Sequence, residues 1–336
     1  MAEVASRSGQ RVALFTPDDV EWSAGTVRAW VPVASDRPNG AWQKQTTSLP
    51  DVIYENVFVH LAVQGYSRQL RFEAARRGIP VFNPPLPGKW RLHRYLERTE
   101  LNRYLPSTEV LSDLQHALRR IDAWKIAYVK PIGGYGGAGV SRVQVLGRDR
   151  YRVSWDRTAS GDTVRSRKEL TSLELLRWLK GKMAVRHLLQ QGINLMRVNG
   201  RKVDFRVVSQ RDGSGKWHIV GIVPKVAAVD GVVTNLVAGG ERRTLEQIVG
   251  IARSEGKLLP VRKLEQCALE ISKRISAQHP KMGLAGFDLG VDEEGRVWMI
   301  EMNPKPARSL LDEEMRLASA RYSAEFAGYL ARQRRR

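Results

Sequence analysis

Two segments far apart in this 336-residue chain carry residue types suited to one kind of chemistry. The first runs Val129-Lys130-Pro131, then Gly133-Gly134-Tyr135-Gly136-Gly137-Ala138-Gly139-Val140. Without a Cβ, glycine lets backbone N–H groups close on phosphate oxygens, and Lys130 adds a point charge. The second is a candidate hairpin, residues 286–303, turning at Asp292-Glu293-Glu294-Gly295. Strand side chains alternate faces. Setting Val291 opposite Arg296 puts Phe287, Leu289, Val291, Trp298, Ile300 and Met302 on one face. Asp288, Glu301 and Asn303 share the other. Two carboxylates and an amide are hard oxygen ligands that suit Mg²⁺, which shares its remaining positions with phosphates and water. A hydrated strand face would show the same alternation. The Asn303-Pro304-Lys305-Pro306 stop directly after it favours a site.

Elimination narrows the glycine loop. Gly134, Gly136 and Gly139 fit G-x-G-x-x-G, a weak signal alone. A dinucleotide fingerprint needs a helix next, but the alternating residues 140–146 read as a strand. No G-K-[ST] triplet ends the loop, so it is not a P-loop. A protein kinase carries its lysine on the strand after the loop, whereas Lys130 precedes it. What remains is a strand, a lysine, a glycine turn and a strand. That pattern is a flap over a polyphosphate or, more plainly, a mobile surface hairpin.

The surrounding elements read as a mixed α/β pattern. Strand candidates lie at residues 11–15, 27–33, 51–54 and 79–83, with a helix over 69–78 stopped by Gly78. Pro84-Pro85-Leu86-Pro87-Gly88 is a rigid linker and marks a boundary. The division expected is residues 1–85 as a small α/β unit and residues 86–336 as the main one. The flap part would span about 124–190 and the metal-binding part about 191–336. Helices are expected over 89–98, 109–120, 172–180 and 261–278. Strands are expected over 186–189, 203–208 and 217–223. The stretch 156–165 is read as loop.

Composition sets limits. Lys and Arg number 55 against 35 Asp and Glu, a formal charge of +20. Such a field favours anionic partners. No basic stripe with interleaved aromatics occurs, so nucleic acid is not the expected partner. The terminal arginines, Arg332, Arg334, Arg335 and Arg336, are compatible with a frayed tail. The single cysteine, Cys267, sits in an amphipathic run and reads as a packed thiol. Residues 1–8 lack the apolar core of a signal peptide, and no apolar run is long enough for a transmembrane segment. The expected setting is cytoplasmic.

From about Asn83 onward these motifs, in this order, resemble the ATP-grasp superfamily, and within it the YheC/YheD family of endospore coat-associated proteins. The resemblance rests on Lys89-Trp90, Leu105-Pro106-Ser107-Thr108, the Lys130 flap and Leu189-Gln190-Gln191-Gly192-Ile193. Asp204-Phe205-Arg206, Thr234-Asn235-Leu236 with Gly239-Gly240, and the Asp288/Glu301/Asn303 hairpin complete it. It implies an ATP-grasp fold, two α+β subdomains clamping ATP, preceded by a small α/β domain. It further implies that Lys89 and Lys130 contact the α/β-phosphates under Gly134, Gly136, Gly137 and Gly139. Gln190, Gln191 and Ile193 would line the adenine pocket, with Lys225 and Asn235 also at the nucleotide. Asp288, Glu301 and Asn303 would hold Mg²⁺, and Arg206 and Arg308 the γ-phosphate or an acyl phosphate. Lys225 departs from the arginine expected before the Asn235 loop, and lysine is a poorer bidentate partner.

The activity so implied is an ATP- and Mg²⁺-dependent ligase joining a carboxylate to an amine on an anionic acceptor, such as a spore-surface or cell-envelope component. The alternative is a structural protein of the spore coat that binds nucleotide without turnover.

Overall fold

The computed structural model describes residues 1–33, 41–57, 65–133, 138–159, 162–229, 231–232, 234, 236 and 239–334. Helix α1 (Ala2–Ser6) precedes an antiparallel sheet of β1 (Val20–Glu21), β2 (Thr26–Val33) and β3 (Ala41–Ser48). A parallel pair follows, β4 (Ile53–Tyr54) and β5 (Val81–Phe82), with α2 (Tyr66–Arg76) between them in the chain. Gly78, at φ +63°, follows that helix as a left-handed stop. Of the strand expected over residues 11–15, only Leu14 pairs, in an isolated bridge to Trp30.

Past the proline linker come α3 (Lys89–Glu97), β6 (Thr108–Val110) and α4 (Leu114–Trp124). The helix expected over 109–120 therefore starts later. Asp113 caps it by accepting the His116 N–H at 2.8 Å, while residues 108–110 pair with the strand at 188–190. Next are β7 (Ile126–Pro131), β8 (Ser141–Gly147), β9 (Arg150–Ala159), β10 (Asp162–Leu170), α5 (Ser172–Lys182) and β11 (His187–Gln191). They form an upper sheet in the order β10-β9-β8-β7-β11-β6. The stretch read as loop over 156–165 is instead the end of a long hairpin, β9 on β10. Its arginines and lysine mask the alternation. Ile121, Val129, Val143, Val153, Leu175 and Leu189 form the core under α4 and α5, leaving the opposite face of the sheet free.

The lower sheet holds β12 (Arg197–Val198), β13 (Arg201–Arg211), β14 (Trp217–Val226) and β15 (Glu241–Arg242). After α6 (Leu245–Ser254) and α7 (Val261–Gln278) come β16 (Leu284–Val291) and β17 (Val297–Asn303). Its order is β15-β14-β13-β16-β17, with β12 beside β13. Leu264, Cys267, Ile271 and Ile275 of α7 pack with Phe205, Val207 and Phe287, a fully buried apolar layer. Cys267 is the inert thiol expected, pushed up by burial.

The hairpin register differs from the expectation. Asp292 accepts the Arg296 N–H at 2.7 Å and the Trp298 indole N–H at 2.8 Å, which lengthens the turn by one residue. Val291 then faces Val297, and Leu289 faces Met299. A β-bulge beside Asp288 adds a second one-residue shift in the same sense, so Asp288 faces Glu301. Val297 and Met299 are thus core, while Trp298 and Ile300 turn the other way. The two offsets add to two residues, one full period of strand alternation, and Asp288, Glu301 and Asn303 still share a face.

Helix α8 (Glu313–Arg334) closes the chain. Its end is not frayed over the described residues. Arg332 donates to the Gly213 carbonyl at 2.8 Å, and Arg334 to the Arg77 carbonyl at 3.2 Å. Phe326 meets Phe82 edge-on at 5.5 Å, and Asn83 Oδ1 accepts the N–H groups of Gly283 and Leu284 at 2.7 and 3.0 Å. These contacts seat the N-terminal unit on the start of β16.

Candidate nucleotide site

The free face of the upper sheet carries the first half of the site. Lys130 on β7 faces Leu188 on β11, and Tyr128 faces Gln190. Lys130 Nζ donates to Gln190 Oε1 at 2.9 Å, and Gln190 Nε2 donates to Thr108 Oγ1 at 2.9 Å. Thr108 in turn donates to the Pro106 carbonyl at 2.8 Å. The relay fixes the Gln190 amide with its oxygen toward the ammonium. Burial pulls the Lys130 amine down to about 8, nearby Glu301 working upward and Lys89 downward. At Gly139, φ +76°, an added Cβ would meet Pro131 Cγ at 3.0 Å, so the flap returns tightly onto its own strand. Gly134, Gly136, Gly137 and Asn235 lie outside the described residues.

The lower sheet supplies the second half. Lys89, in the first turn of α3, reaches Glu301 Oε1 at 2.7 Å. Between the two halves lies a cleft lined by Leu92, Leu96, Leu188, Ile300 and Met302, with Lys89, Lys130, Gln190 and Glu301 among its polar groups. Its empty volume, open mouth and adjoining solvent included, is about 770 Å³. His93 also lines it. Burial, then Lys130 and Arg94, push its imidazole down to about 4, so it is neutral near pH 7.

Beside the cleft is a buried ionic network. Arg206 grips Asp288 with two bonds, Nε to Oδ1 at 2.8 Å and Nη2 to Oδ2 at 3.1 Å. Lys225 Nζ lies 2.9 Å from Asp288 Oδ1 and 3.1 Å from Asp204 Oδ1. Thr234 donates to the other oxygen of Asp204. Burial opposes every charge here. Lys225 and Arg206 nonetheless hold the Asp288 carboxyl below its ordinary range, whereas burial dominates at Asp204 and raises it. Gly286 makes room for this arrangement: a Cβ there would meet Pro306 Cβ at 2.6 Å and Arg206 Cδ at 3.4 Å. Asn303 Nδ2 approaches Asp288 Oδ2 at 3.5 Å.

Other expected residues are placed differently. Gln191 and Ile193 do not line the cleft, whereas Gln190 does. The strand end is instead pinned by backbone bonds, Gln191 N to Ser107 O and Gly192 N to Ile126 O, both 2.8 Å. A Cβ on Gly192 would lie 2.3 Å from Ile126 Cγ2. Lys225 is buried between two carboxylates, 2% exposed, and does not line the cleft. Arg308 leaves Arg206 and donates to the Tyr54 hydroxyl at 2.9 Å. Sequence reasoning did not single out Glu55, fully buried, which binds Arg71 at 2.8 Å and Lys305 at 3.3 Å. The lone carboxylate after a two-residue strand gave no signal. His93, one helical turn after Lys89, could have been found from helix periodicity.

Among the described residues no three His, Cys, Asp or Glu side chains cluster as a metal site. The oxygen set is two carboxylates and an amide. Asp288 and Glu301 are direct cross-strand partners, and Asp288 is held ionised. That set fits a hard divalent cation which takes further oxygens from phosphate and water. Lys89 would have to yield Glu301 to it, and Arg206 or Lys225 would have to share an oxygen of Asp288.

A family model described as YheC/D-like ATP-grasp matches residues 78–330. The endospore coat-associated protein YheD of Bacillus subtilis (strain 168) is 28% identical over 347 residues, covering 97% of this chain and 72% of that protein. YheC of the same organism is 22% identical, covering 91% and 84%. Among solved structures, the chain is similar to a RiPP-associated ATP-grasp ligase of Chryseobacterium gregarium in complex with ADP and a leader and core peptide. The TM-score is 0.51 at 14% identity, over 97% of this chain and 91% of that one. D-alanyl-alanine synthetase A of Vibrio cholerae O1 gives 0.50 at 11% identity, over 97% and 83%. These likenesses establish the fold. No helix among the described residues is long and apolar enough to cross a membrane.

Proposed function

This chain belongs to the YheC/D-like ATP-grasp family, and from that premise we propose that it is an ATP- and Mg²⁺-dependent ligase joining a carboxylate to an amine. The observation that carries the reading is the cleft lined by both Lys130 and Glu301, with an apolar wall between. Adenine would lie against Leu92, Leu96, Leu188 and Ile300, with Gln190 at its edge. Lys89 and Lys130 would take the phosphates. Asp288, Glu301 and Asn303 would hold Mg²⁺, which supplies charge neutralisation to the phosphate oxygens.

The chain's own work is positioning in a site shielded from water. A carboxylate oxygen of the acceptor attacks the γ-phosphorus. The bond from that phosphorus to the β,γ-bridging oxygen breaks, and ADP leaves. The amine then attacks the acyl carbon, the carbon–oxygen bond to phosphate breaks, and the amine sheds a proton. Arg206, held by Asp288, would meet the transferred group. The +20 charge suits an acidic acceptor. By analogy with relatives named as coat-associated, the acceptor would be a component of the spore surface. Those same names favour a second reading, nucleotide binding without turnover.

The test is ADP and phosphate release across a panel of carboxylate and amine acceptors. Stimulation by one pair, with a joined product, supports the ligase. Tight nucleotide binding with no stimulation by any pair supports the second reading.

The Lys130 amine makes affinity depend on pH. Its neighbours in the cleft are His93, Lys89, Glu301 and Gln190, and only the protonated amine attracts phosphate. Binding a polyanion raises its pKa, so affinity is level below about 8 and falls as pH rises through that value. The limit is about tenfold per pH unit. Calorimetry in buffers of different ionisation enthalpy should show proton uptake on binding at pH 8.5 and little at pH 7. Equal uptake at both would remove Lys130 from the phosphates.

A further inference from the structure

We propose, on the nucleotide reading of the cleft, that His93 recognises the sugar: its imidazole hydrogen-bonds a ribose hydroxyl and sets a preference for ribonucleotides. Among the described residues three uncharged polar side chains line the cleft, His93, Thr108 and Gln190. The last two are spent on other partners. Gln190 Oε1 accepts from Lys130, Gln190 Nε2 donates to Thr108, and Thr108 donates to the Pro106 carbonyl. His93 is different. The residue is 9% exposed, and its Nε2 is buried with no partner. A buried polar nitrogen left unpaired costs free energy that a ligand can recover.

Helix α3 places the ring. Lys89, His93 and Leu96 recur at i, i+4 and i+7, on one helix face, and all three line the cleft. At about 1.5 Å of rise per residue, His93 stands roughly 6 Å along the axis from Lys89 and roughly 4.5 Å before Leu96. Lys89 would take the phosphates and Leu96 the base, so His93 falls where the sugar joins them. Trp90 stacks on the imidazole at 5.5 Å and 16°, and the Arg94 guanidinium lies 5.6 Å from the Trp90 ring centre. These contacts hold the ring plane. The chemistry selects a hydroxyl. A neutral imidazole offers one donor and one acceptor in either tautomer, as an alcohol does. Ionised phosphate oxygens only accept, and Lys89 and Lys130 would already serve them. Burial and the Lys130 and Arg94 charges keep the ring neutral near pH 7, so it adds no third cation to the cleft.

Calorimetry on the full chain with Mg²⁺ compares ADP, 2′-deoxy-ADP and 3′-deoxy-ADP. In the wild type at least one deoxy analogue should bind about fivefold or more weakly than ADP, the effect of one lost hydrogen bond that strands a buried partner. In His93→Phe, which keeps a ring on Trp90, ADP should weaken to the level of that analogue, while the analogue stays within about twofold of its wild-type affinity. Should the phenylalanine variant fail to fold, His93→Leu gives the same comparison. The proposal is overturned if the discrimination survives the substitution, or if all three nucleotides weaken equally, as a packing role alone predicts. A wild type that binds ADP tightly and ignores either missing hydroxyl would overturn the role of His93 and leave the nucleotide reading standing. Failure of every nucleotide to bind would sink both.

Discussion

Lys130→Met is expected to weaken nucleotide binding about 10- to 100-fold, the effect of removing one charge-assisted hydrogen bond of about 1.5–3 kcal/mol. Turnover should fall further, about 10²- to 10³-fold, because preorganised charge at a phosphoryl group matters most in the transition state. Methionine keeps the stem that packs in the cleft, and the lost partner is a neutral amide, Gln190 Oε1, which can rotate toward solvent. Thermal stability should therefore hold or rise slightly, since a buried amine has been removed. A variant with unchanged affinity would place the phosphates elsewhere.

Asp288→Asn is expected to act on the fold as much as on the site. The carboxylate balances Arg206 and Lys225 in a region where all three are at least nine-tenths buried. Removing one partner of a buried ionic group costs about 3–5 kcal/mol, because the remaining charges stay desolvated. Equilibrium denaturation should show that loss. Glu301→Gln, whose partner Lys89 is half exposed at the cleft, should leave the midpoint nearly unchanged. Equal stability of the two variants would mean that the Asp288 network is not the buried anchor described above. The contrast also assigns roles: Asp288 ties the sheet together before it meets any cation, whereas Glu301 is free to exchange Lys89 for one.

Much of this arrangement was legible in the sequence. Strand alternation placed Asp288, Glu301 and Asn303 on one face, because a period of two survives a register slip followed by a bulge. The slip itself was not legible. It comes from the Asp292 side chain capturing the Arg296 N–H, a local bond that competes with ladder pairing. The hairpin of β9 and β10 was hidden because Lys168 interrupts the apolar face opposite Val153 and charged residues, Arg152, Asp156, Arg165 and Arg167, fill the other, so apolar periodicity is weak. Helix α4 was expected too early because Thr108-Glu109-Val110 gains its strand pairing from β11, which is distant in sequence. Lys225 was expected at the nucleotide. Its burial between Asp204 and Asp288 depends on three strands lying side by side, which no linear motif encodes. Arg308 likewise finds Tyr54, 254 residues away.

The cleft is most directly tested by calorimetric titration of the wild-type chain and Glu301→Gln with a non-hydrolysable ATP analogue, each with and without Mg²⁺. The account predicts one site per chain, affinity in the wild type strengthened at least tenfold by Mg²⁺, and that strengthening lost in Glu301→Gln. Absence of binding, or identical Mg²⁺ dependence in the two proteins, would contradict it.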